Sequence, residues 1–196
     1  MATKIALFDL DGTLADYDGQ MRIDLESIMS PGDHEFDMRH PPAWAKARMD
    51  IIKRQPGWWF NLPRYEPGFD ILRAAMSIGF EPYVLTKGPY NTTSAWTEKV
   101  EWCRVNLPKE VKVTITEDKS GTYGRVLVDD WIPFMEGWLA HRPRGLGIIP
   151  AHDHNGEEFI RLFEQYHVVR YTGTPDNLEA VRKSLLWAFN REDGST

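Results

Sequence analysis

Two aspartates one residue apart, Asp9 and Asp11, close the short apolar run Ile5-Ala6-Leu7-Phe8 and precede Gly12-Thr13. Alternate side chains of an extended backbone share a face, so both carboxylates can reach one site as the chain leaves the strand. Holding them there is costly unless something positive sits between them. A divalent cation and a phosphoryl group meet that demand. Similar groups recur where later strands are predicted to end: Thr86 followed by Lys87, then Lys119 in a loop, then the adjacent Asp129 and Asp130. One aspartate can attack phosphorus. A second can protonate the leaving oxygen and later activate water. Thr86, Lys87 and Lys119 are candidates to hold the phosphoryl oxygens. Magnesium takes carboxylate ligands while keeping waters and a substrate phosphate, which makes Asp9, Asp11, Asp129 and Asp130 candidate metal ligands.

The elements that must position these groups follow from the apolar spacing. The opening run reads as a buried parallel strand. Helices are predicted over 20–29, with Met21, Leu25, Ile28 and Met29 on one face, and over 43–54, with Trp44, Ala47 and Ile51 on one side. Between them the polar stretch from Ser30 to Pro42 breaks the pattern, and Gln55 to Pro63 is an aromatic loop bounded by turn residues. From Pro67 onward helices and strands alternate. Helices are expected over 69–77, stopping at Gly79, and over 92–107, with Trp96, Val100, Cys103 and Leu107 along one stripe. Strands are expected over 83–86, 111–116, 125–128, 145–149 and 167–171. A last helix starts at Thr174-Pro175, where the threonine can cap and the proline suits the first helical position. This order implies an α/β fold, a Rossmann-like parallel sheet covered on both faces. The expected division is a core of 1–16 and 68–196 and a helical insert of 17–67 directly after the first strand. In such sheets, sites form outside the carboxyl ends of the strands, where the candidate residues fall.

Composition sets the outer bounds. The chain has 196 residues, 42% apolar and 27% charged, enough for one globular core with an insertion. A net charge of −6 argues against wrapping long nucleic acid, though not against a small anionic substrate held locally. The single cysteine, Cys103, allows no intramolecular disulfide and lies on an apolar helix stripe as a core residue. No apolar stretch approaches the roughly 20 residues that cross a bilayer, and the N-terminus lacks the pattern of a signal peptide. A soluble cytoplasmic protein with no membrane partner is the expectation; homodimerisation stays open.

The constellation resembles the haloacid dehalogenase superfamily, whose phosphatases open with Asp-x-Asp-Gly-Thr after the first strand, here Asp9 to Thr13. The resemblance extends to Thr86, Lys119 and the pair Asp129-Asp130 as the second, third and fourth motifs. It implies a three-layer core, Mg2+ as cofactor, Asp9 as nucleophile and Asp11 as general acid/base. Which of Asp129 and Asp130 ligates the metal stays open. Asp11 favours a phosphatase over a dehalogenase, which does not need that group. A narrower likeness links Pro56-Gly57-Trp58-Trp59-Phe60 with Leu62-Pro63 and Pro67-Gly68 to the 5′(3′)-deoxyribonucleotidases, as does Lys119 with Gly124 to Asp130. Arg125 departs from that family's acidic residue. The likeness implies a nucleoside monophosphate substrate, its base seated among Trp58, Trp59, Phe60 and Trp44 under a small helical cap. Stacking on an aromatic face would hold a base without sequence readout.

Other residues read more simply. Asp16 and Asp18 belong to the loop into the insert. His152 and His154 lack a third nearby ligand in the sequence and read as solvated rather than as a metal site. Two other functions fit the same residues: a phosphatase for another small phosphomonoester (a phosphosugar or a polynucleotide 3′-phosphate), or a non-catalytic nucleotide-binding protein.

Overall fold

The computed structural model describes residues 3–34, 36, 38, 40–156 and 161–192; residues 35, 37 and 39 of the polar stretch before Pro41 lie outside that set. Six strands form one sheet: β1 (Ile5–Phe8), β2 (Glu81–Lys87), β3 (Lys112–Thr116), β4 (Val126–Val128), β5 (Leu146–Pro150) and β6 (His167–Tyr171). Their order is β3-β2-β1-β4-β5-β6, with every pairing parallel. The helices are α1 (Tyr17–Ser27), α2 (Ala43–Ile52), α3 (Glu66–Ile78), α4 (Thr93–Asn106), α5 (Ile132–His141) and α6 (Pro175–Asn190). This is the α/β three-layer architecture that the strand–helix alternation predicts.

Side-chain alternation splits the core into two layers. Ala6, Phe8, Val84, Val126 and Ile148 face a cluster containing Leu72 and Ala75 of α3, Trp102 of α4, and Val181 and Leu185 of α6. Leu7, Leu85, Leu127 and Ile149 face the other way, against Met135, Trp138 and Leu139 of α5. With both faces covered, the central strands read as unbroken apolar runs. Each such side chain contributes about 1.5–3 kcal/mol by leaving water. Asp9 and Asp11 continue the parity of Leu7, so both emerge on one side as β1 ends.

Local signals place the helix ends. Thr174 caps α6, its side chain accepting from Asn177 N–H, and Gly79 ends α3 with φ +108° in the left-handed region. Arg125, buried beside β4, donates to the carbonyls of Ala188 and Arg191 and so ties off the end of α6. Asp16, expected in the loop, caps α1 by accepting from Gly19 N–H at 3.0 Å.

The buried stripes of three helices differ from the predicted ones. On α1 the buried residues are Met21 and Leu25, while Ile28 and Met29 lie beyond the helix end and are exposed. On α2 they are Ala45, Met49 and Ile52, and Ile51 faces outward. On α4 they are Ala95, Lys99, Trp102 and Cys103: Cys103 is in the core as expected, and the other three each lie one position before a residue of the predicted stripe. A lysine therefore sits on the buried face. The apolar pattern assigns no element between 129 and 144, yet α5 forms there, because Pro133 falls in its first turn, where no N–H partner is lost. Between β1 and α3, Met21 and Leu25 pack on Met49 and Ile52 in a small cluster of their own.

Candidate active site

The site begins with the loop after β1. Asp9 N–H donates to the Val128 carbonyl at 2.8 Å, which locks the strand end beside β4. Leu14 and Ala15 N–H then both donate to the Leu10 carbonyl, folding the chain back on itself. Gly12 makes this turn at φ +75°, and a Cβ there would stand 2.5 Å from the Asp130 carboxylate. From the other side α3 abuts the same loop: a Cβ on Gly68 would lie 1.7 Å from the Thr13 carbonyl oxygen. Both positions require glycine, the first for conformation and space, the second for space alone.

Lys119 arrives from the loop after β3 and stands between two carboxylates, its Nζ 2.6 Å from Asp9 Oδ1 and 2.7 Å from Asp129 Oδ2. All three side chains are buried. Burial pushes the Asp9 carboxyl well above the usual range, opposed by Lys119 and reinforced by Asp129, Asp11 and Asp130. Burial likewise lifts Asp129 to about 6. Burial alone would lower Lys119, but its two carboxylate partners outweigh that and hold it above its ordinary value. Asp129 uses its second oxygen to accept from Trp131 N–H at 3.0 Å, so both of its oxygens are committed. Asp130 accepts from Thr13 Oγ1 at its Oδ1, 3.2 Å, and unlike Asp129 its carboxylate lines the cavity above. Ligand oxygens of Asp9, Asp129 and Asp130 lie within 4.8 Å of one another, a group able to hold a cation.

A second buried lysine serves Asp11. Lys99, from α4, places its Nζ 2.5 Å from Asp11 Oδ2, 3.3 Å from Thr86 Oγ1 and 2.7 Å from the Lys87 carbonyl. The other oxygen, Asp11 Oδ1, is buried with no hydrogen-bond partner among the described residues. Four carboxylates and two ammonium groups thus converge with Thr86 at one sheet edge. Lys99 is absent from the sequence-based candidates, although its spacing from Ala95, Trp102 and Cys103 marks it as a charge on an apolar stripe.

Above this floor opens a cavity of about 650 Å³, in the range of small-molecule sites. Asp9, Asp11 and Asp130 line its base, and Lys87, Tyr90, Trp131 and Phe134 its core side. Tyr17 and Trp59 contribute from the segment between β1 and α3, with Lys53 and Arg54 at the rim. Glu98 of α4 pins the aromatic loop by accepting from Gly57 and Trp59 N–H, and Trp102 Nε1 donates to the Leu62 carbonyl at 2.7 Å. The four aromatic candidates have different places. Trp59 is buried on the cavity wall with Lys99 Nζ 4.6 Å from its ring centroid. Trp58 donates Nε1 to Asp24 at 2.7 Å and packs edge-on against Tyr17 and Trp59. Phe60 is at the surface, and Trp44 packs against Phe36 and Arg48; neither lines the cavity. Exposed Trp131 and Tyr90, which the sequence does not single out, do line it.

The loop after β5 closes the remaining side. Buried Asn155 holds it, donating Nδ2 to the carbonyls of Asp130 and Pro150 and accepting from His152 N–H. Two imidazoles project from it. His152 Nε2 is 2.6 Å from the Gly12 carbonyl, and His154 Nε2 is 3.0 Å from Asp130 Oδ2. Asp18, at the start of α1, reaches both: its Oδ2 lies 3.2 Å from His154 Nδ1 and 3.7 Å from His152 Nδ1. The third nearby ligand that the sequence lacks is therefore present. Burial lowers His154, but Asp130 and Asp18 outweigh it and raise it to about 10.

No family model matches the chain and no curated protein matches it. Solved structures do. A protein described as a haloacid dehalogenase-like hydrolase from Burkholderia xenovorans LB400 is 15% identical, covering 91% of this chain and 99% of its own, with a TM-score of 0.53. One described as a β-phosphoglucomutase from Thermotoga maritima is 16% identical over 92% and 99%, with a TM-score of 0.55. A third, described as a dehalogenase, is 11% identical over 98% and 99%, with a TM-score of 0.51. At these identities the likeness is one of fold: the chain has the haloacid dehalogenase-like fold.

Proposed function

We propose that this chain is a Mg2+-dependent phosphatase of small phosphomonoesters, with nucleoside monophosphates as the preferred substrates. The observation that carries the reading is the arrangement of Asp9 and Asp11. Asp9 is paired with Lys119, and Asp11 keeps one buried oxygen without a partner at the base of the cavity. Asp9 attacks phosphorus, forming an acyl phosphate as the bond to the leaving oxygen breaks, and that oxygen takes its proton from Asp11. Water then attacks the acyl phosphate, Asp11 takes the water proton, and the bond to Asp9 breaks to release inorganic phosphate. In this reading Thr86 and Lys87 are the donors to the equatorial phosphoryl oxygens, and Lys119 offsets the charge on Asp9.

The donor set suits a hard divalent cation. Four carboxylates against two buried ammonium groups leave negative charge unmatched at the site. Asp9, Asp129 and Asp130 would hold the ion, which supplies charge neutralisation at the phosphoryl oxygens. Of the acidic pair, Asp130 faces the cavity and Asp129 is already bonded to Lys119 and Trp131 N–H, so we assign Asp130 as the principal ligand and Asp129 as the residue that also orients the lysine.

Aromatic walls at Tyr17, Trp59, Trp131 and Phe134 favour a substrate bearing a base. A polar rim of Asp50, Lys53, Asn91 and Thr92 favours a second reading, a phosphosugar. Phosphate release with Mg2+ from deoxy- and ribonucleoside monophosphates and from hexose phosphates separates them. Nucleotides are expected to lead by about tenfold or more in kcat/KM. A lead for the sugars would install the second reading, and no release from any phosphomonoester would end both.

A further inference from the structure

We propose that Asp18, His152 and His154 form a second metal site, distinct from the carboxylate cluster and suited to a transition-metal cation such as Zn2+. Mutual distance is the first support. Ligand atoms bound to a tetrahedral metal at about 2.0–2.2 Å lie about 3.4 Å apart. Asp18 Oδ2 is 3.2 Å from His154 Nδ1 and 3.7 Å from His152 Nδ1, and the ligand atoms all fall within 4.8 Å. The imidazole rings stack at 5.1 Å and 14°, which turns both Nδ1 atoms toward one carboxylate oxygen.

The outer partners supply the second support. His152 Nε2 lies 2.6 Å from the Gly12 carbonyl and His154 Nε2 3.0 Å from the Asp130 carboxylate. The His152 contact calls for hydrogen on Nε2, which leaves its Nδ1 free to face Asp18. Metal-bound histidines show this pattern, the far nitrogen donating to a carbonyl or carboxylate. Tyr65, stacked on His152 at 4.7 Å, and Trp131 beside His154 restrain the rings. Two imidazoles and one carboxylate favour zinc or cobalt over magnesium. A neighbouring cavity of about 490 Å³ reaches all three residues and leaves room for water as a fourth ligand.

Such an ion would bind α1 to the loop after β5 and, through His154, steady Asp130. The test uses the full chain, stripped with chelator and then titrated with Co2+ or Zn2+ while excess Mg2+ occupies the carboxylate cluster. The expected result is one tightly bound ion per chain, intense visible Co2+ bands of a tetrahedral site, and a Zn2+-dependent rise in Tm. Asp9→Asn should keep the bands. His152→Gln and Asp18→Asn, with folding checked by circular dichroism, should each weaken binding at least about tenfold. No tetrahedral Co2+ signal in the wild-type chain would overturn the site. So would a signal that survives both variants, or one that disappears in Asp9→Asn.

Discussion

The floor of the cavity and its roof are held in place by different means. At the floor, Asp9, Thr86 and Asp130 stand at strand ends, Lys119 is buried between Asp9 and Asp129, and Lys99 is buried against Asp11 and Thr86, so fixed ion pairs hold the groups in place. At the roof, Tyr17 and Trp59 come from a segment whose apolar cluster is only four buried residues. That segment is tied to the core through Glu98, the Trp102 indole and the loop contacts of Gly68. On the proposed reading, geometry that must be exact for phosphoryl transfer lies where the sheet enforces it. Groups that only have to enclose a substrate lie where packing is thin. The proposed chemistry would accordingly be a property of the core, with the segment above it contributing to selectivity.

Removing a floor charge should therefore have the largest effect. Lys119→Met leaves two buried carboxylates without a partner and should cost about 3–5 kcal/mol of stability in urea unfolding, with loss of phosphate release. Lys99→Met, which frees Asp11 and Thr86, should keep the fold and lower kcat by about a hundredfold. If both lysines can be removed with turnover intact, the two regions do not differ as described. At the junction, Gly68→Ala forces α3 off the Thr13 carbonyl and should cost about 3 kcal/mol, read by the same unfolding curve. On the cavity wall, Trp131→Ala should raise KM for a nucleotide about tenfold with kcat little changed, whereas Trp44→Ala, in the roof segment but off the cavity, should leave both within about twofold. Equal effects from the two tryptophans would remove the assignment of the cavity wall.

A smaller effect concerns pH. The Asp9 and Asp129 carboxyls titrate above their unfolded values, so in chelator their ionisation opposes folding: the stability they lend is complete at low pH and is lost as pH rises through about 6, the value of Asp129. Mg2+ relieves that repulsion only where the carboxylates are ionised. The rise in Tm on adding Mg2+ should be larger at pH 8 than at pH 5, as read by thermal unfolding; the reverse order would place the ion elsewhere.

The floor was largely legible in the sequence because strand ends and parity are local properties. Asp9, Thr86 and Asp130 each follow an apolar run whose burial is visible without a structure, and Lys119 falls in the loop between two such strands. Lys99 was hidden by a stripe drawn one residue off: Trp96 and Val100 look more apolar than Ala95, yet Ala95 packs deeper. A helix of this length has room for two plausible stripes, and only contact with β2 selects between them. His154 and Asp18 were hidden for another reason. They are far apart in the chain and meet because the segment after β1 folds back over β5, a long-range contact no local spacing carries. Aromatic residues near the roof were the hardest to place, since Trp44 and Phe60 satisfy the same composition as Trp59 and point elsewhere.

The most direct test of the central claim is to find the transferred phosphoryl group. The enzyme is quenched in acid during turnover of a deoxynucleoside monophosphate carrying radiolabelled phosphate, with Mg2+ present, and its peptides are mapped. Label on the peptide containing Asp9, absent from Asp9→Asn together with phosphate release, is the predicted result. Turnover by Asp9→Asn at the wild-type rate, or label on another residue, would contradict it.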